Sequence, residues 1–466
     1  MACRYTVFVG TFVHSKTLDE VEILHETAVV VDPEGKITYV GPIKAAAEGY
    51  DGVASGAAVD VYRCRDGHFF FPGFIDTHIH ASQYPNVGIF GKTTLMDWLN
   101  TYTFPLESSL KDPVKAGAVY RRVIQKTLSH GTTCASYFAT INVDTTNLLA
   151  DLCFRAGQRA LVGRVCMDQL SPDWYKEESA EASVAASRAS IDYIHKLDPS
   201  HSLVRPIITP RFAPTCSAPL MKALGKLAAE TSVYVQTHVS ENQKEIALVR
   251  ELHPPSSTGA EDDSYTSVYD ACGILTERTI LAHGVHLSEA EAELIASRKA
   301  KVSHCPCSNS SITSGAARIR WLLNKGITCG LGTDVSGGYS PSILEAARQA
   351  ALVSRHVAMG GDDLAKLSVE EVLYLATVGG AEVVGLQDRV GRFAVGMDFD
   401  AQLIGLTLVS AEGGVEPGEE SSVDVFGWES WDDLVHKWLY CGDDRNTKKV
   451  WVKGRLVHER TAGGWR

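Results

Sequence analysis

Through the middle of the chain, short apolar and β-branched runs alternate with longer stretches of helical periodicity, and this alternation predicts the architecture. Eight runs read as strands: Phe74 to His80, Thr132 to Phe138, Ala160 to Cys166, Val204 to Arg211, Val233 to Val239, Ile280 to Val285, Lys301 to Cys305 and Thr328 to Asp334. Helical spacing fills the gaps, in Ala118 to Ser129 with Gly131 just past its end, Ala182 to Lys196, Ala218 to Thr231, Glu289 to Arg298 and Ser342 to Val357. Eight strand-helix units in succession define an α/β fold of the (β/α)8 TIM-barrel type, expected over residues 69–390.

The two ends of the chain lack helical periodicity of this kind. Tyr5 to Val13, Thr27 to Val31, Ile37 to Val40 and Ala58 to Tyr62 read as strands, with turns at Asp32-Pro33-Glu34-Gly35 and Asp66-Gly67. Strand pattern returns in Gly391-Arg392-Phe393, Ala401 to Gly405 and Lys449 to Val457, the last broken by a Lys453-Gly454 turn. Residues 1–68 and 391–466 are therefore expected to build one small β-sandwich domain together. His253 to Ser264 and Glu412 to Asp424, rich in Pro, Ser, Gly and acids, read as surface loops.

Composition narrows the function classes. The 466 residues are 45% hydrophobic and 21% charged, with a formal charge of −12, which is globular and acidic. A phosphate backbone needs a basic face, so nucleic acid is not an expected partner. No run reaches the roughly 18 apolar residues of a membrane span, and Tyr5 to Val13 lacks a small-residue cleavage site, so it reads as a strand and not a signal peptide. The eleven cysteines are scattered without a paired framework and read as reduced, cytosolic thiols. Cys305 and Cys307 flank Pro306 beside His304, but without a second cysteine pair they read as a structural turn and not as ligands.

A barrel of this kind places its chemistry at the C-terminal ends of the strands. His78 and His80 end the first, Arg211 the fourth, His238 the fifth, His283 lies on the sixth and Asp334 ends the eighth. Residues two apart on a strand face the same way, so His78 and His80 form half of a transition-metal site. Among sixteen histidines a chance His-x-His is common, and it is the recurrence at strand ends that argues for a site.

Pro72-Gly73-Phe74-Ile75-Asp76-Thr77-His78-Ile79-His80, with His238 in Gln236-Thr237-His238, His283 in Ala282-His283-Gly284 and Asp334 in Gly332-Thr333-Asp334, resembles the amidohydrolase superfamily. Within it the chain resembles the guanine deaminases, through His80-Ala81-Ser82-Gln83-Tyr84, Trp98-Leu99, Tyr102-Thr103-Phe104-Pro105, Pro210-Arg211-Phe212, His238-Val239-Ser240-Glu241-Asn242, Tyr265 to Asp270, Asp334 to Tyr339 and Tyr440 to Asn446. One departure is Cys307, where that family usually has Asn.

The resemblance implies hydrolysis of guanine to xanthine and ammonia by a cytoplasmic homodimer, with one zinc per subunit held by His78, His80, His238 and Asp334. It also implies that Asp334 accepts the proton of the attacking water, that Glu241 carries a proton to the ring nitrogen and then to the leaving amine, and that His283 orients the nucleophile. On pattern alone Glu241 reads as an exposed acid opening the next helix, and Asp334 as a helix cap. The resemblance reverses the first, and the place of Asp334 after Gly332 at a strand end favours a ligand. Related barrels that hold two metals use a modified Lys on the fourth strand; Val204 to Arg211 has none, which favours one metal. For substrate the resemblance points to Gln83, Arg211 and Phe212, together with His238, Glu241 and His283. A Gln amide offers donor and acceptor, and Arg only donors. Phe212 fits either a ring-stacking wall or ordinary core. Cytosine, a nucleoside or a triazine remains open as substrate, as does an inactive scaffold on the same fold.

Overall fold

The computed structural model describes residues 4–43, 51–54, 56–91, 95–416, 420–461 and 464–465. Eight parallel strands follow one another around a barrel: β1 (Phe74–His80), β2 (Thr132–Phe138), β3 (Arg159–Gly163), β4 (Val204–Pro210), β5 (Tyr234–Val239), β6 (Thr279–His283), β7 (Lys301–His304) and β8 (Cys329–Leu331). Each pairs in parallel with the next, for example Ala135 with Ala160 and Val302 with Cys329. Side chain and backbone close the ring between β8 and β1: Thr77 Oγ1 donates to the Leu331 carbonyl at 2.8 Å, and Asp334 N to the His78 carbonyl at 2.8 Å.

Helix boundaries follow the capping residues in the sequence. Ala218–Thr231 starts at Ser217, whose hydroxyl accepts from Leu220 N, and Gln243–Leu252 starts in a capping box of Asn242 and Glu245. Ser288 with Glu291 does the same for Glu289–Ser297, and Gly157 in the left-handed conformation ends Val143–Ala156. The helix Val378–Val383 plugs the N-terminal mouth of the barrel, where Ile75, Cys134, Leu161, Ile207 and Ile280 pack with Ala381, Val383 and Val384. Higher in the barrel the interior turns polar: Ser136 donates to Gln236 Oε1 at 2.7 Å, and Gln236 Nε2 to Thr209 Oγ1 at 3.0 Å.

Both chain ends meet in one nine-stranded sheet, in which Arg4–Thr17 pairs with Glu20–Val31 and Ala58–Arg63, and His68–Pro72 pairs with Ala401–Gly405. The sheet curls so that Phe8 and Trp451, on strands separated by two others, meet at 5.3 Å around a core that includes Phe70 and Phe399.

Several sequence expectations need correction. His68–Pro72 belongs to this sheet, so the sheet runs past residue 68. Gly391 to Phe393 is not a strand; Phe393 N donates to His14 Nδ1 at 3.0 Å and its ring fills the aromatic core. The expected strand Ala160 to Cys166 is broken at Arg164, and Val165–Cys166 pairs separately with the end of β4. The eighth run is a strand only to Leu331, because Thr333 and Asp334 turn into the site. His253 to Ser264 contains a short helix, Pro255–Thr258, and residues 417–419 of the second loop lie outside the described residues.

A buried ionic cluster joins barrel and sheet. Arg159 on β3 donates to Asp400 Oδ2 at 2.6 Å and to Asp398 Oδ2 at 2.8 Å, and Lys36 and Arg389 also pair with Asp398. No helix among the described residues is long and apolar enough to cross a membrane.

Candidate active site

At the C-terminal mouth three non-glycine residues take the left-handed backbone: Ser240 (φ 47°) after β5, His283 (φ 75°) ending β6 and Asp334 (φ 46°) after β8. Such conformations are uncommon and persist where the surroundings hold them. Each lies at or beside a titratable side chain, Glu241, His283 or Asp334, that lines one cavity. Gly332 allows the close approach of β8 to β1, since a Cβ there would sit 2.8 Å from His78 Cβ.

His78 Nε2 and His80 Nε2 lie 3.2 and 3.3 Å from Asp334 Oδ1, and His80 Nε2 lies 3.3 Å from His238 Nε2. One donor atom from each of these four residues falls within 4.8 Å of the others. Whether they fit a metal is decided by their other contacts. His238 Nδ1 donates to the Arg211 carbonyl at 2.6 Å, leaving Nε2 as the lone-pair nitrogen, and His78 Nε2 is buried with no hydrogen-bond partner. Burial pushes His78 down to about 4 and His238 well below the usual range, so both are neutral donors near pH 7. Burial opposes charge on Asp334, but His78 and His80 outweigh it and hold the carboxylate well below its ordinary range. Three imidazoles and a carboxylate with an orphaned nitrogen fit a divalent transition metal. Asp76 supports the set from below, accepting from Thr333 N at 3.1 Å and His78 N at 3.2 Å.

Glu241 is 4% exposed, not the surface acid its pattern suggests. Its Oε1 accepts from Ser314 Oγ at 2.9 Å and its Oε2 lies 3.5 Å from His283 Nε2. Burial raises its pKa above the ordinary glutamate value, which suits a group that must hold and release a proton. His283 Nδ1 donates to Asn309 Oδ1 at 2.8 Å, which aims Nε2 at Glu241 and Asp334.

Gln83 and Arg211 also line the cavity and are both buried. They meet on a carboxylate that the sequence analysis did not single out. Glu107 accepts from Gln83 Nε2 at 2.9 Å, from Arg211 NH1 at 2.7 Å and NH2 at 3.3 Å, and from Tyr175 OH at 2.9 Å. Phe212 lines the cavity near His238, at 6.0 Å between ring centroids, beside Trp98 and Leu99.

All the expected site residues converge here: His80, Gln83, Arg211, Phe212, His238, Glu241, His283 and Asp334 line the cavity, and His78 sits behind them in the cluster. Cys305 and Cys307 are buried and contribute no ligand to the cluster. Glu107, Asn309 and Ser314 escaped the sequence reading. Glu107 directly follows the apolar Phe104-Pro105-Leu106, and only its solitary charge there could have drawn notice.

A barrel with this cluster at its strand ends defines a metal-dependent hydrolase, and residues 69–457 match the amidohydrolase family, to which the chain belongs. Within that family its similarity to guanine deaminases extends over nearly its full length. It is 48% identical over 455 residues to a probable guanine deaminase of Schizosaccharomyces pombe, covering 97% of this chain and 83% of that one. To the guanine deaminase of Homo sapiens it is 39% identical over 460 residues, covering 97% and 96%. The crystal structure of guanine deaminase from C. acetobutylicum with guanine in its active site matches with a TM-score of 0.84 at 34% identity, covering 97% of this chain and 99% of that one.

Proposed function

We propose that this chain hydrolyses guanine to xanthine and ammonia, with one zinc ion per subunit, as a cytoplasmic homodimer. The observation that carries this reading is that a three-histidine, one-aspartate cluster and the buried Gln83 and Arg211 share one cavity. A flat base held against Gln83 and Arg211 turns its amine-bearing carbon toward the cluster, the placement that makes attack effectively unimolecular. Zinc bound by His78, His80, His238 and Asp334 would supply Lewis acidity, lowering the pKa of water to about 7.

The chain's own groups do the rest. Asp334 Oδ2, 3.8 Å from His283 Nε2, accepts the proton of the attacking water, and His283 directs that water at the ring. Glu241 delivers its proton to the ring nitrogen, takes the proton of the new hydroxyl and passes it to the leaving amine, and is restored by the proton Asp334 took from water, so one C–N bond breaks, one C–O bond forms and one water is consumed. Gln83 and Arg211 read the lactam edge, while Phe212 and Trp98 flank the ring. Adenine reverses that edge and leaves the buried Gln83 and Arg211 groups unpaired, a mismatch of the kind that discriminates by roughly 10⁴-fold. The same reading divides the chain into a barrel and a small β domain drawn from both ends.

Initial rates with guanine, adenine, guanosine and cytosine at equal concentration test the substrate. Guanine should dominate, and Gln83→Ala should remove that preference; a preference for adenine or cytosine overturns it. His238→Ala should lose both zinc and turnover, because a donor is missing, and full zinc occupancy in that variant would refute the ligand set. Molecular mass in solution reads the homodimer.

A further inference from the structure

Glu107 lies behind the cavity wall, is 0% exposed and does not line the cavity. Its two oxygens receive Gln83 Nε2, both terminal nitrogens of Arg211, Tyr175 OH and, at 3.4 Å, Ser82 Oγ. An ionised carboxylate can only accept, and the neighbouring guanidinium keeps it ionised: although burial works against its charge, Arg211 holds Glu107 below the ordinary glutamate range.

This has a directional consequence for Gln83. A glutamine amide is nearly symmetric and can present either end to a ligand. Here an acceptor-only group stands on one side and Ser336, whose backbone N and hydroxyl lie 3.4 Å from Gln83 Oε1, on the other. The amide nitrogen therefore turns inward to Glu107, and the amide oxygen, met by two long contacts from Ser336, is the end left to accept from a ligand in the cavity. Arg211, anchored through both terminal nitrogens and set over the Phe104 ring at 5.1 Å, keeps its remaining N–H groups as donors.

We propose that Glu107 is the positioning residue that sets the order of acceptor and donor along the substrate wall. By this means Gln83 accepts from the lactam N–H and Arg211 donates to the lactam carbonyl. The inference rests on the guanine reading above and adds which atom of each side chain does the reading and what compels it.

Glu107→Gln tests it. The substituted amide cannot accept from every donor that now converges, and its own NH₂ favours Gln83 in the flipped orientation, with Nε2 toward the cavity. The readout is kcat/KM for guanine together with the inhibition constant of 2-aminopurine, an analogue that has no lactam carbonyl and offers an acceptor where guanine offers N–H. In the variant, kcat/KM for guanine should fall by about 10- to 100-fold, the range of one misdirected polar contact or two, while 2-aminopurine binds as tightly as before or more tightly and zinc content is unchanged.

Equal weakening of both ligands would show that Glu107 only supports the wall, and an unchanged guanine rate would show that it does not position Gln83; either overturns the proposal. Tyr175→Phe, which removes one donor from the same carboxylate and keeps the ring, should shift the two ligands in the same opposed sense by a smaller factor, and parallel shifts there count against the proposal even if Glu107→Gln fails to fold. Failure of the wild-type chain to deaminate guanine would instead strike the guanine reading itself.

Discussion

A single carboxyl group separates binding from turnover at this site. Glu241 is not a member of the four-residue cluster, yet its Oε2 is 3.5 Å from His283 and its pKa is raised by burial. Replacing it by Gln preserves shape and the Ser314 contact but removes the exchangeable proton. Glu241→Gln should therefore keep zinc and guanine affinity while kcat falls by roughly 10²-fold or more, the usual loss of a general acid/base. Single-turnover rates and equilibrium binding of guanine distinguish this from a loss of affinity, and near-normal turnover would return Glu241 to the role of an ordinary buried acid.

At the level of elements, the site depends on how closely β8 approaches β1. The strand pair is held by Thr77 and by the Asp334 N to His78 carbonyl bond, and Gly332 lets the two backbones meet. A methyl group at Gly332 would also come within 2.7 Å of Ser303 Oγ and 2.9 Å of Cys305 Sγ, so Ser303, His78 or Cys305 would have to shift. Overpacking of this kind destabilises by about 1–3 kcal/mol. Gly332→Ala should lower the melting temperature and, because His78 and Asp334 lie on either side of the contact, also lower zinc occupancy. A variant with reduced stability and full zinc would show that the ligands tolerate the strand shift. Elsewhere on the rim Tyr269, whose hydroxyl donates to the His238 carbonyl at 2.8 Å and accepts from Ala213 N at 3.0 Å, ties the end of β5 to the loop after β4.

Across the whole molecule, the Arg159 cluster joins barrel to sheet. Arg159 is 1% exposed and is the partner of two buried aspartates; its loss takes the cation from Asp400, while Asp398 keeps Lys36 and Arg389. Removing one member of a buried ion pair costs about 3–5 kcal/mol, and Arg159→Ala should lower the unfolding free energy by that order. The pH dependence has a definite sign. Burial opposes the charge of Asp398, but Arg159, Lys36 and Arg389 prevail and depress its pKa below the aspartate value. Its contribution is therefore complete above the unfolded value near 3.9 and is lost as pH falls through the lower folded value. The stability gap between wild type and Arg159→Ala, measured by denaturant titration, should be widest near neutral pH and narrow under acid. A gap that does not change with pH would mean the cluster acts by packing alone.

Much of this was legible in the chain itself. Alternation of apolar runs with helical periodicity determined the strand-helix count, because period two and period 3.6 are local properties of a backbone. Caps such as Ser217 and the Asn242–Glu245 box determined helix starts for the same reason. The residues at strand ends, His78, His80, His238, His283 and Asp334, were visible because a barrel maps sequence position onto one mouth.

What pattern could not reach was decided by contacts between distant segments. His68–Pro72 is apolar at every position and joins the chain-end sheet only because Ala401–Gly405 arrives to pair with it. Phe393 reads as strand yet serves as core, since a hydrogen bond from its backbone to His14 takes the place of a ladder. Glu241 and an exposed acid look alike in sequence, and burial among β5, His283 and Ser314 separates them. Glu107 is the clearest case: its meaning comes wholly from Gln83, Tyr175 and Arg211, residues 24, 68 and 104 positions away, which converge on one carboxylate only when the barrel closes.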